Sequence, residues 1–437
     1  MRDLLLAAFV FGSIPFILKR PYWGLLMWVW LSLMNPHRLA WGFAYSMPFA
    51  MVIAVVTFAS ILVHLKNLYT FPVNGITLCL ISMVLWVCVS PPFSFHSDGE
   101  LSLWLRVIKI QVMVLIAFFL VGNRDELHKL TWVLALSVGF YGIKGGLFTI
   151  ATRGSYKVWG PDSSFISDNN TVALAIIMSV PLFRYLQLHS ENLWIRRGCL
   201  AAMVLCTASA VGSYSRGALL ALLAMAGFLW LKSRNKAMTA IFILATLPAI
   251  VAMMPESWTG RMNTIENFSI DSSALGRINA WWMAWNLASD RFPIGGGFNI
   301  YTSDLFARYA PDPMDVHAAH SIYFQMLGEH GFIGLFLFLS VFGLAWLSGR
   351  WVIKNTRSRK DMAWAHDLAS MSQVSLVGYA VGGAFLSLTY YDFPYYIVVM
   401  LVVLREIVRK ELATEAFQNS RVESVASAIR LQKAASK

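Results

Sequence analysis

Charge is scarce in this chain. Of 437 residues only 13% are Asp, Glu, Lys or Arg, while 57% are hydrophobic, more apolar surface than a soluble domain could hide. Cysteine is scarce as well. Cys79, Cys88, Cys199 and Cys206 all fall inside apolar runs without close CxxC spacing, which argues against a disulfide framework and a cysteine metal site. There is no HExxH pattern, so the helical zinc-protease arrangement is missing. At the N terminus Met1-Arg-Asp precedes an apolar stretch, but Phe16-Ile-Leu-Lys-Arg20 offers no small-residue cleavage pattern, so the first apolar segment is expected to stay as an anchor. No aromatic-interleaved basic patch sits in a soluble region. The formal net charge of +12 therefore does not point to nucleic acid.

Long apolar sequence is what the chain has in quantity. A helix needs about 20 residues to cross a bilayer, and runs approaching that length recur between residues 3 and 408. They are uniformly apolar, which predicts helices and not barrel strands. The expectation is an all-α polytopic membrane protein with about 12 to 13 transmembrane helices. The range reflects the first two segments, short and separated only by Lys19-Arg20-Pro21. Residues 1–254 would form N-terminal transmembrane helices, 255–320 a large loop with short helices, 321–408 C-terminal transmembrane helices, and 409–437 a tail.

Basic linkers orient the scheme. Arg196-Arg197, Lys232 to Lys236, Arg350 to Lys360 and Arg405 to Lys410 fall on one side, which the positive-inside rule makes cytoplasmic. That surface suits anionic lipid headgroups. Opposite lie Pro91 to Asp98, Arg153 to Asn170 and the large loop, where a specific function is expected. The two halves carry no matched interrupted helices of the kind transporters use.

Ionisable residues gather on that outer side. Asp315 to Gly334 holds three histidines and two carboxylates where a polar loop meets an apolar helix. His320 is the candidate proton acceptor, because imidazole titrates near neutrality and can lift a proton from a hydroxyl; capping of the following helix is the alternative. His317 stands in reserve. Glu329 and His330 fall two to three turns into the span and read as structural. A zinc site from His317, His320 and a carboxylate is disfavoured by the loose geometry of loop ligands. Arg216, in Ser213-Tyr-Ser-Arg216-Gly, is confined to the rim between two apolar segments, where its planar fork suits phosphate oxygens. Arg277 opens a tryptophan-rich amphipathic helix containing Trp281, Trp282 and Trp285, whose alternative role is interfacial anchoring. Arg106 and Lys109, three residues apart, add positive charge at similar depth, with Lys144 deeper. Gly295-Gly-Gly297 reads as a tight turn before it reads as a phosphate cradle. Cations at the mouth of a helical bundle imply an anionic, lipid-compatible ligand, and a polyprenyl diphosphate meets both conditions.

The motifs Ser213-Tyr214-Ser-Arg216-Gly217, Gly276-Arg277, Gly295-Gly-Gly297, Ala319-His320-Ser-Ile-Tyr323 and Gly328-Glu329-His-Gly331 resemble the O-antigen ligase and polymerase superfamily. Met1-Arg-Asp-Leu-Leu-Leu and Met34 to Tyr45 are similar to its branch of exosortase-associated O-glycosylation ligases. The resemblance implies an inverting membrane glycosyltransferase of the bacterial inner membrane, needing neither metal nor cofactor and working on the periplasmic side. It would move a glycan from undecaprenyl diphosphate to an acceptor hydroxyl, with lipid A-core as the leading acceptor. It implies that Arg216 and Arg277 hold the diphosphate and that His320 serves the acceptor; Arg106 and Lys109 join the diphosphate site on the residue reading, with His317, Tyr214 and Tyr323 in a second tier. Many members have His-Asn where this chain has His320-Ser321. A repeat-unit polymerase and a protein O-glycosylation ligase are the alternatives within the superfamily. A polyprenyl-lipid flippase and a non-catalytic scaffold are those outside it.

Overall fold

Polar residues that precede many of the apolar runs set where those helices start. The computed structural model describes residues 1–95, 97–233, 235–263 and 272–435. His96 and the stretch 264–271 of the large loop lie outside the described residues. Among the described residues all regular structure is helical: α1 (Arg2–Lys19), α2 (Pro21–Met34), α3 (Phe49–Val63), α4 (Gly75–Val89), α5 (Ser97–Leu120), α6 (Arg124–Ala151), α7 (Asn169–Leu188), α8 (Leu193–Val211), α9 (Arg216–Lys232), α10 (Lys236–Ala252), α11 (Glu256–Asn263), α12 (Ser272–Asp290), α13 (Ser303–Tyr309), α14 (Ile322–Thr356), α15 (Ala363–Gly383) and α16 (Asp392–Ala435). Asn74 opens α4 with a capping box. Asn123, Asp168, Asn192, Ser215 and Asn235 cap α6 to α10 in turn, satisfying first-turn N–H groups that would otherwise be orphaned, at about 1 kcal/mol each.

The chain is a helical membrane protein. By length and composition α4, α5, α6, α7, α8 and α14 can cross a membrane, and α10 with α11, bent by 111°, counts as a seventh if the pair is one broken span. Apolar α2, α3, α9 and α10 run only 14, 15, 17 and 17 residues, below the usual span of about 20. The expected count of about 12 thus requires such shorter helices to cross too. Polarity has a different origin in α15, which is enclosed by α7, α9 and α14. Its Ser375 donates to the Met178 carbonyl at 2.8 Å and its Gln373 to the Trp346 carbonyl at 2.8 Å, so neighbouring backbone, not lipid, sets what this helix tolerates.

At the centre lies α7, with 83% of its apolar window buried. Small residues bring α6 and α8 together beside it. A Cβ on Gly146 would stand 2.1 Å from the Leu205 carbonyl oxygen, so the close backbone approach depends on glycine.

The large loop packs back onto α14 through α12. Ala280, Met283 and Leu287 are fully buried, while Trp282 and Trp285 stay exposed on the other face. This agrees with an amphipathic helix, although it starts at Ser272; Arg277 therefore sits in its second turn and not at its beginning. Helix-compatible Ser273-Ala-Leu-Gly carries the element further back than the tryptophan pattern alone indicates.

The glycine triplet clamps a break in α14. Gly331 has φ 68° and ψ −170°, interrupting the helix, and the carbonyls of Gly328 and Glu329 turn to accept from Gly296 N–H at 2.8 Å and Gly297 N–H at 2.9 Å. These glycines are committed to backbone pairing. A Cβ on Gly331 would lie 2.0 Å from the Pro293 carbonyl oxygen, in a backbone region strained for any L side chain. Gly331→Ala should therefore destabilise the protein by roughly 3 kcal/mol or more, read as a lowered unfolding temperature of the purified protein in detergent. An unchanged transition would show that the break is not locked by this contact.

Candidate functional site

Three separate chain segments build the site, beginning with the turn between α8 and α9. Tyr214 takes a left-handed φ of 62°, and its hydroxyl donates to the Gly154 carbonyl at 2.7 Å. Ser213 Oγ accepts from the Ser215 N–H at 3.2 Å. The turn is thus fixed from both sides before Arg216 opens α9. Asn169 ties the start of α7 to it, donating to the Ser213 carbonyl at 2.7 Å. The neighbouring Asp168 caps α7, accepting from the N–H groups of Asn170 at 2.8 Å and Thr171 at 3.2 Å.

The second segment is α11. Trp258 Nε1 donates to the Val211 carbonyl at 2.9 Å, and Arg261 Nε donates to the Tyr214 carbonyl at 3.0 Å. A third arginine is thereby brought beside Arg216.

The third segment joins α12 to the start of α14. Asn279 donates to the carbonyls of Asp312 at 2.8 Å and Asp315 at 3.0 Å, and Trp281 Nε1 donates to the Ala319 carbonyl at 2.7 Å. The Trp281 ring also stacks on Phe324, centroids 5.0 Å apart. Side chains of α12 therefore fix the chain leading to His320, which itself has a left-handed φ of 44° just before Ser321, the residue that opens α14.

Electrostatics show which groups converge. Burial depresses the Arg277 guanidinium pKa, and the charges of Arg216 and Arg261 push the same way, with Asp168 opposing. For His320 burial again comes first, holding the imidazole below its ordinary 6.5; Arg277 and His317 add to the effect and Asp168 counters it. Among the described residues three arginines thus share a neighbourhood with Asp168 and a half-buried histidine kept neutral at neutral pH. Such a site gathers forked guanidinium donors that an anion can meet, beside an imidazole able to accept a proton.

Arg216, Arg277 and His320 lie in one neighbourhood. His317 is next to them, its ring against Gly276 and its Nδ1 2.7 Å from Asp315. Tyr214 supports the turn. Tyr323 points elsewhere, donating to the Ala380 carbonyl at 2.8 Å. Arg106 and Lys109 are not in this cluster: they line a different cavity, and the charges acting on Arg106 are Asp392 and Arg38. Arg261 escaped the sequence reading. Its only sequence signal is a lone arginine closing the short polar segment after Pro255, and its importance appears only when α11 folds under the turn.

Glu329 and His330 belong to a buried network. Tyr390 bonds to Glu329 and, at 2.7 Å, to His330 Nε2, while Ser90 meets His330 Nδ1 at 2.9 Å. Gln325 reaches Glu329 at 3.3 Å. This network fixes the broken segment of α14, as a structural role requires. Among the described residues no three His, Cys, Asp or Glu side chains are grouped to hold a metal ion.

Residues 201–339 match the family model described as O-Antigen ligase. The chain belongs to the O-antigen ligase superfamily. The matched region of this O-antigen ligase superfamily member contains the turn at Arg216, α11, α12 and the His320 junction, that is, nearly all of the cluster. Residues 1–191 match a second model, described as a family of unknown function (DUF5935). No curated protein matches the chain.

Proposed function

We propose that this protein is a periplasm-facing O-antigen ligase of the inner membrane, transferring a glycan from undecaprenyl diphosphate to a sugar hydroxyl of lipid A-core. Ligase chemistry of a glycosyltransferase kind, on lipid-linked glycan and acceptor substrates, follows at a coarse level from the family; donor, acceptor and mechanism are our reading. The observation that carries it is the convergence of Arg216, Arg261 and Arg277 beside His320.

In this reading the donor diphosphate sits among the arginines, whose forked donors match its oxygens. The acceptor hydroxyl forms its bond to the anomeric carbon from the face opposite the diphosphate as the carbon–oxygen bond to phosphate breaks. Undecaprenyl diphosphate leaves with the bonding pair. His320 takes the hydroxyl proton, and the arginines stabilise the charge developing on the leaving group without a divalent ion. The configuration is inverted. Arg106 and Lys109 are left out of the diphosphate contact because their surroundings are separate.

Cells lacking the protein should accumulate lipid-linked glycan and make lipopolysaccharide without O-antigen. An unchanged lipopolysaccharide ladder on a gel would refute the acceptor assignment. Purified protein given labelled lipid-linked glycan and lipid A-core should yield glycosylated lipid A-core; product found only on a second repeat unit or on protein Ser/Thr would redirect it.

A further inference from the structure

A cavity of about 460 Å³ opens between α2, α3 and α5, separate from the arginine cluster. Its wall changes character along the helices. Ser32, Asn35 and His37 mark one end with Arg106 and Lys109, whereas Phe58 and Met113 continue it with apolar surface. Arg106 and Lys109 are both exposed on a helix apolar enough to cross a membrane. Among the described residues Arg106 has a single close partner, the Phe165 ring, 3.9 Å from its guanidinium carbon. Asp392 is near enough to act on Arg106 but is only 1% exposed. Among the described residues two cations therefore face this groove against one enclosed carboxylate, an arrangement costly in a bilayer unless an anion completes it. His37 adds a buried Nδ1 with no hydrogen-bond partner among the described residues.

We propose that this groove is a binding site for an anionic membrane phospholipid, its phosphate held by Arg106 and Lys109 and its chain laid along α3 and α5 toward Phe58 and Met113. Charge complementarity selects the headgroup. The lining selects an amphiphile over free phosphate, since a soluble anion would leave the apolar wall facing lipid or water. The volume suits a glycerophosphate headgroup and the first part of its chains. This site is independent of the glycosyl-transfer reading, because neither cation belongs to the group around His320.

Native mass spectrometry of the full chain, released from detergent with phosphatidylglycerol or phosphatidylcholine, tests it. Phosphatidylglycerol should be retained preferentially, and the double variant R106Q/K109Q should lose that preference by about tenfold or more, the order expected when charge-assisted contacts are removed. The variant R216Q/R277Q should keep it. Retention unaffected by R106Q/K109Q, or abolished by R216Q/R277Q alone, would overturn the proposal. Should R106Q/K109Q fail to fold, a diazirine-bearing phosphatidylglycerol decides the matter in the native protein. Cross-links on α3 and α5 support the site, and cross-links confined to other helices exclude it. Equal displacement of the lipid by inorganic phosphate and by phosphatidylglycerol would also overturn it, since the lipid chain would then contribute nothing.

Discussion

His320→Ala should lower glycan transfer by roughly 10²- to 10⁴-fold, the range supplied by a positioned general base, while expression and helix content stay normal. The residue is half buried at a loop-to-helix junction and is not part of a packed network, so its removal should cost activity far more than stability. A scaffold protein would tolerate the change. Transfer by purified wild-type and variant protein from labelled lipid-linked glycan separates the outcomes, and near-wild-type turnover would remove His320 from the chemistry. The pH profile sharpens the test. Because burial and the Arg277 charge hold the imidazole below 6.5, His320 remains unprotonated at neutral pH, and activity should fall only as pH drops through that lowered value. An acid limb above 6.5 would contradict the assignment.

Sequence made some parts of this site legible and hid others for physical reasons. Arg216 was readable because two apolar runs flank Ser213-Tyr-Ser-Arg216 with no length to spare, which confines the side chain to the rim. His320 was readable because it stands just before an apolar helix in a polar loop. Arg261 was not, since its place depends on α11 folding under the 213–215 turn, a tertiary contact without a local signature. Arg106 and Lys109 were grouped with the others on depth alone, and depth does not report which groove a residue faces. The glycine triplet shows the same limit: composition indicates a turn, but only the break at Gly331 explains which carbonyls its N–H groups must meet. Helix class was legible throughout from uniform apolar runs. The number of membrane crossings was less so, because enclosed helices such as α15 need not be apolar and several apolar helices are short.

Arg277→Gln should reduce transfer by roughly 10²- to 10³-fold, comparable to removing one preorganised donor from a developing anion. It should also move the acid limb of activity to higher pH. Deleting a positive charge that depresses the His320 pKa lets that value rise, although burial, the larger cause, still holds it down. Asp168→Asn provides the opposing test. Asparagine caps a helix as well as aspartate does, so α7 should keep its start while the charge favouring protonated His320 disappears; the acid limb should then move to lower pH. Arg216→Lys keeps charge but loses the bidentate fork, and should impair transfer less than Arg277→Gln without shifting the limb, since Arg216 acts on Arg277 and not on His320. Opposite displacements for Arg277→Gln and Asp168→Asn would tie the titrating group to His320 through its own neighbours. Equal displacements, or none, would mean that another residue governs the profile and that the arginine cluster and the histidine do not act as one site.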